Sequence, residues 1–120
     1  YVDDMASAYA AADLMVARSG AGTVVETATV GLPTIYVPLP HGNGEQARNA
    51  TSAVDAGAGV VVANADLDVE RLLAETARIH DADVLAQMSA AGRGLMPAHA
   101  AEEMAVRVIS AATPIDPTIG

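Results

Sequence analysis

The stretch Arg18-Ser19-Gly20-Ala21-Gly22-Thr23-Val24-Val25-Glu26 carries the first candidate chemistry. It joins a short apolar run to a helix-forming segment. A helix that opens there points unpaired backbone N–H groups and the positive end of its dipole at whatever lies in front. Gly20 and Gly22 let the main chain approach a phosphate with no Cβ in the way. Ser19 and Thr23 can cap the helix or donate hydrogen bonds. The spacing fits neither the complete dinucleotide fingerprint nor the lysine-bearing P-loop, so an anion would rest on backbone donors with Arg18 beside them. A plain tight turn filled with small residues accounts for the same string equally well. Glu26 lies three residues after Thr23, one turn further and on the same helix face. A carboxylate there can accept both hydroxyls of a ribose whose phosphates sit at the helix tip. Thr23 and Glu26 are also spaced as the two ends of a capping box.

The second candidate is Pro38-Leu39-Pro40-His41-Gly42-Asn43-Gly44-Glu45-Gln46. It too follows a strand-like run and opens a helix. Both loops therefore fall at the carboxyl ends of parallel strands, where open α/β sheets bind ligands. His41, Asn43, Glu45 and Gln46 supply the mixed donors and acceptors that sugar hydroxyls need. A solvated loop with ordinary turn chemistry is the competing reading.

Elsewhere the chain offers little chemistry. His80 and His99 are far apart, and no His and acid cluster has metal-ligand spacing, so no metal site is expected. Ser19 lacks the context of a nucleophile elbow. Met15, Met88, Met96 and Met104 read as core fillers. With no Cys among 120 residues, disulfides, thiolate metal sites and a Cys nucleophile are excluded. The formal charge of -9 argues against nonspecific nucleic-acid binding, which needs a basic surface. No apolar run approaches the roughly 18 residues of a spanning helix.

These loops need a scaffold, and the apolar pattern supplies one. A helix is expected to begin at the acidic pair Asp3-Asp4 and run through Ala12. Continuous apolar runs over 14–17, 34–37 and 60–63 read as strands buried on both faces. Helices are expected over 23–30, stopped by Gly31, and over 45–56, stopped by Gly57. Further helices are expected over 69–80, 84–92 and 98–112, the last starting after Pro97. Residues 113–120 read as a loose tail. This alternation describes parallel βαβ units with helices on both faces. The core must come from Val, Leu, Ile, Met and Ala, because Phe and Trp are absent. Three parallel strands make half of a doubly wound sheet. The first strand would then be an exposed apolar edge, and the chain, which opens on Tyr1 with no initiator Met, reads as a piece of a longer protein.

The two loops, together with Gly31-Leu32-Pro33, Tyr36-Val37-Pro38-Leu39-Pro40-His41 and Gly42-Asn43-Gly44-Glu45-Gln46-Ala47-Arg48-Asn49-Ala50, closely resemble the MurG family of peptidoglycan glycosyltransferases. The likeness runs from Val2-Asp3-Asp4-Met5 to about Ile109, weaker after Asn64. It implies a Rossmann-like, parallel-sheet half of a GT-B C-terminal domain, with residues 1–112 binding the donor UDP-N-acetylglucosamine. By the same resemblance, Ala21, Gly22, Thr23, Val24, Val25 and Glu26 wrap the diphosphate and ribose, with Glu26 on the ribose hydroxyls. Arg18 and Ser19 flank that stretch, and Val2 touches the uracil through its backbone. Gln46 reads the sugar, His41 stands beside it, and Glu45 replaces the Gln that relatives carry. No cofactor or tightly held metal is implied. The lipid I acceptor and the catalytic base would belong to an N-terminal domain that nothing here matches, so no catalytic residue is expected in this chain. The resemblance places the enzyme in the cytoplasm, peripheral on the inner face of the bacterial plasma membrane. Another GT-B transferase acting on a lipid or natural product, and a noncatalytic nucleotide-binding subunit, fit the same residues.

Overall fold

The computed structural model describes residues 3–95 together with 106, 107, 109 and 110. Val2, His99, Met96, Met104, Pro97 and the tail expected over 113–120 lie outside the described residues, as does most of the helix expected over 98–112. Residues 106, 107, 109 and 110 are helical.

Asp4 begins the fold. Its side chain accepts a hydrogen bond from the Ser7 N–H and caps α1, Met5–Ala11. β1 is Met15–Ala17, β2 is Thr34–Tyr36 and β3 is Gly59–Val61. They form one parallel sheet in the order β1-β2-β3, with Val16 opposite Ile35 and Ile35 opposite Val60. α2 spans Ala21–Val30 and α3 spans Glu45–Asp55, each crossing between consecutive strands. A sheet that grows in one direction through right-handed crossovers puts both helices on one face. The other face is covered after the last strand, by α4 at Val69–Ile79 and α5 at Ala82–Gly94.

The alternation of β2 separates the two halves of the core. Tyr36 packs with Val24, Ala50, Ala53 and Ala58 under α2 and α3. Ile35, fully buried, packs with Val62, Ile79 and Met88 under α4 and α5. Burial of a side chain the size of Ile35 contributes about 1.5–3 kcal/mol. The phenol of Tyr36 is satisfied inside the core, 2.7 Å from the Thr27 hydroxyl.

Only β2 is buried along its whole length. The flanking strands were expected to be buried on both faces, and they are not. Val16 of β1 is 46% exposed and Val61 of β3 is 39% exposed, because each strand is an edge of this sheet. The exposed edge expected at the first strand is therefore present.

Two helix boundaries also differ from expectation. α2 starts at Ala21 rather than Thr23, with Gly20 as its N-cap. Thr23 is then the third helical residue, so Thr23 and Glu26 do not form a capping box. α5 runs from Ala82 to Gly94, capped by Asp81, and Gly92 sits inside it rather than ending it. A Cβ on Gly92 would meet the Ala28 carbonyl oxygen at 2.9 Å, so this glycine is where α5 crosses α2 closely. Gly31 ends α2 as expected. Its left-handed backbone (φ 71°) lets the Leu32 N–H reach back to the Thr27 carbonyl at 2.9 Å.

Candidate functional site

The residues following the three strands meet at one end of the sheet. Arg18 holds them together. One nitrogen of its guanidinium donates to the carbonyls of Val37 and Pro38, at 3.3 Å each, and to Asn64 Oδ1 at 2.8 Å. Arg18 was expected beside a phosphate, and this structure shows it clasping the ends of β2 and β3. The two hydrogens on that nitrogen are shared among three acceptors, and the planar guanidinium fixes their direction.

Ser19 is fully buried. Its hydroxyl donates to the Gln46 carbonyl at 2.6 Å, and its own carbonyl accepts from the Asn49 side chain at 3.1 Å. Ser19 therefore does not cap α2. It latches the first loop to the opening turn of α3, which fixes the two candidate loops relative to each other.

The start of α2 is left open. The first intrahelical bond is Val24 N–H to the Gly20 carbonyl, at 3.0 Å. The N–H groups of Ala21, Gly22 and Thr23 precede it and have no helical acceptor. Gly20 has no side chain to satisfy them. Ala21 and Gly22 are exposed, and apart from the adjoining chain no described atom would stand within 4 Å of a Cβ at Gly20 or Gly22. A concentration of donors at the positive end of a ten-residue helix, with clear space before it, can bind an anion.

The remaining residues of that stretch divide by direction. Val24 is buried in the core and its N–H is already bonded, so it shapes the turn from behind. Val25 is 43% exposed. Glu26 is half-buried, and one of its carboxylate oxygens accepts the Tyr9 hydroxyl at 2.8 Å. Burial, that hydrogen bond and the Glu26 charge push the Tyr9 phenol up to about 12. The other carboxylate oxygen has no hydrogen-bond partner among the described residues.

Across the latch, Gly44 caps α3 in a left-handed conformation (φ 73°) that a side chain rarely adopts. Gln46 Oε1 accepts the Leu39 N–H at 2.8 Å, which folds the 38–44 loop back on α3 and leaves the Nε2 hydrogens to donate elsewhere. Arg48 donates to the Asn43 carbonyl at 2.6 Å and braces the same loop. His41 and Glu45 are exposed and make no side-chain hydrogen bond within the described residues. Tyr9, Asn49 and Asn64 were not among the residues expected to serve the site. Asn49 lay within the motif already singled out, whereas nothing in local spacing marks Tyr9 or Asn64.

A cavity of about 490 Å³ lies at the opposite end of the sheet, between α1, the end of α2 and α5. Asp13 and Pro33, which precede strands, line it. Tyr9, the partner of Glu26, lines it too, but no residue of the two candidate loops does. Among the described residues, no three His, Asp or Glu side chains converge as metal ligands, and no helix is long and apolar enough to cross a membrane.

Residues 1–105 match the glycosyltransferase family 28 C-terminal domain. The chain belongs to this family. It is 99% identical, over all 120 residues, to the UDP-N-acetylglucosamine–N-acetylmuramyl-(pentapeptide) pyrophosphoryl-undecaprenol N-acetylglucosamine transferase of Cutibacterium acnes, covering 32% of that protein. The identically named transferase of Nocardioides sp. is 49% identical over 88% of this chain and 29% of its own length. The crystal structure of Acinetobacter baumannii MurG superposes with a TM-score of 0.76 at 30% identity, covering 92% of this chain and 33% of that one. The chain thus spans about a third of the length of the relatives it matches, and its parallel sheet is the Rossmann-like fold of the family 28 C-terminal domain.

Proposed function

We propose that this family 28 domain holds UDP-N-acetylglucosamine for a transferase that adds N-acetylglucosamine to lipid I, making lipid II. The observation that carries the reading is the open first turn of α2, with the Glu26 carboxylate on the same helix and Gln46 latched alongside. The names of the relatives give the substrate.

In this reading the N–H groups of Ala21, Gly22 and Thr23 take the diphosphate, and Val25 borders it. Glu26 takes the ribose hydroxyls. The Gln46 amide takes a sugar hydroxyl or the N-acetyl carbonyl, with His41 and Glu45 at the rim. Val2 takes the uracil. Arg18 and Ser19 hold the two loops in place. The donor-binding unit comprises residues 1–112, followed by a tail at 113–120.

Cleavage of the sugar–phosphate bond leaves negative charge on UDP. Preoriented N–H groups at a helix tip stabilise that charge as it develops, without reorganising. The acceptor and the group that takes its proton belong to an N-terminal domain, so the site in this chain supplies binding and leaving-group stabilisation. The enzyme works in the cytoplasm, peripheral on the inner face of the plasma membrane where lipid I lies.

The test is titration calorimetry on the full-length transferase carrying this sequence. Two charge-assisted hydrogen bonds to Glu26 contribute about 1.5–3 kcal/mol each, less the cost of desolvating the acid. Glu26→Ala should therefore weaken UDP binding by roughly 10- to 100-fold. The wild type should prefer UDP to 2′,3′-dideoxy-UDP, and Glu26→Ala should lose most of that preference. An equal preference in both proteins would overturn the ribose assignment. Failure of the full-length wild type to bind UDP at all would overturn the proposed function.

A further inference from the structure

The contact between Tyr9 and Glu26 crosses from α1 to α2. It joins residues 17 apart in sequence, and the phenol is the donor at 2.8 Å from Glu26 Oε2. α1 has no buried residue of its own. Its tyrosine nevertheless reaches a carboxylate that sits one turn inside the open helix tip.

We propose that Tyr9 is a positioning residue for the donor site, its hydroxyl fixing one oxygen of Glu26 so that the other is presented to the ribose. This rests on the ribose role proposed for Glu26. A glutamate on a helix surface samples several rotamers, and ordering it on ligand binding costs side-chain entropy. A hydrogen bond that already holds Oε2 removes part of that cost before the nucleotide arrives, which is preorganisation. The geometry also sets a fixed polarity. With its pKa raised to about 12, the phenol remains protonated at neutral pH and can only orient Glu26 as a donor. The ribose hydroxyls then donate to the remaining oxygen, so the carboxylate is an acceptor on both sides.

The alternative is that the bond merely docks α1 onto α2. The two roles separate by ligand. A docking role would loosen α1 whatever the nucleotide carries at its ribose. A positioning role acts only through the hydroxyls that Glu26 receives.

The experiment is titration calorimetry on the full-length transferase with UDP and with 2′,3′-dideoxy-UDP, using wild type, Tyr9→Phe, Glu26→Ala and the double variant. Tyr9→Phe keeps the ring, so a thermal-unfolding scan should show a folded protein. Its UDP affinity should fall roughly 3- to 10-fold, the range of one net hydrogen bond, while dideoxy-UDP binds nearly as before. The double variant should bind UDP no more weakly than Glu26→Ala alone, because both changes remove one unit. Equal losses for the two nucleotides in Tyr9→Phe, or additive losses in the double variant, would overturn the positioning role. If the wild type prefers UDP, Glu26→Ala abolishes the preference and Tyr9→Phe keeps it whole, only the Tyr9 proposal fails. If the wild type binds both nucleotides alike, the ribose role of Glu26 fails first and this proposal falls with it.

Discussion

Gln46 divides its side chain between two tasks. Its oxygen already accepts the Leu39 N–H, so the group left wholly open to a ligand is the amide NH₂. An NH₂ group pairs with acceptors, and the proposed pose sets a sugar hydroxyl or the N-acetyl carbonyl against it. In the full-length transferase, Gln46→Ala should weaken UDP-N-acetylglucosamine by roughly 10-fold, about 1.4 kcal/mol, with UDP itself changed little. Competition binding with the two ligands measures this directly, and equal losses would remove Gln46 as a sugar reader. The same substitution at exposed His41 should have the smaller effect on donor choice. At the residue scale, the open helix tip was legible because it depends on local order. Ala21, Gly22 and Thr23 stood out because a helix tip after a strand is a property of adjacent residues. The direction of each side chain was not legible. Ser19 and Arg18 look like phosphate ligands in the string, yet their hydrogen bonds go to Gln46 and to residues after β2 and β3. Those acceptors are set by tertiary approach, which spacing does not record.

At the scale of elements, the order of strands and helices followed from apolar periodicity, and the errors cluster at glycines. Gly20-Ala21-Gly22 reads as a turn because glycine is a poor helix former. It is helical here because the first turn of α2 is not stabilised by propensity but by the packing of Val24 and Thr27 behind it. Gly92 reads as a helix stop for the same reason, but its role is to let two helices touch. Gly92→Ala tests this. In an open helix the change would stabilise by about 1 kcal/mol. Here the new methyl would press on the Ala28 carbonyl at 2.9 Å, and overpacking costs about 1–3 kcal/mol. The net expectation is a loss of unfolding free energy of up to about 2 kcal/mol, measured by urea titration. A rise would mean that α2 and α5 can part without penalty. Gly94, with nothing within 4 Å of its would-be Cβ, is the matched control.

At the scale of the whole molecule, the sheet is finished on its faces and unfinished along its sides. β1 presents an unpaired ladder edge with Val16 46% exposed, and β3 presents the other with Val61 39% exposed. Unpaired parallel edges with apolar side chains recruit further strands. The formal charge of -9 opposes association at low ionic strength and is screened as salt rises. The 120-residue chain on its own should therefore self-associate, more strongly in high salt than in low. Analytical ultracentrifugation across a concentration series checks this. A monodisperse monomer that unfolds cooperatively by calorimetry would show that the three-strand sheet suffices by itself.

The clasp made by Arg18 bears on how such a sequence can change over generations. A single guanidinium serves two main-chain carbonyls and the side chain of Asn64, which lies 46 residues further along. The carbonyls exist whatever residues occupy Val37 and Pro38, but the Asn64 oxygen exists only while that asparagine does. A lineage that exchanges Arg18 for a shorter side chain relaxes selection on Asn64. One that loses Asn64 first keeps two of the three acceptors and so keeps the arginine useful. Substitution at these two distant positions should thus be correlated and ordered in time, with Asn64 drifting before Arg18 far more often than the reverse.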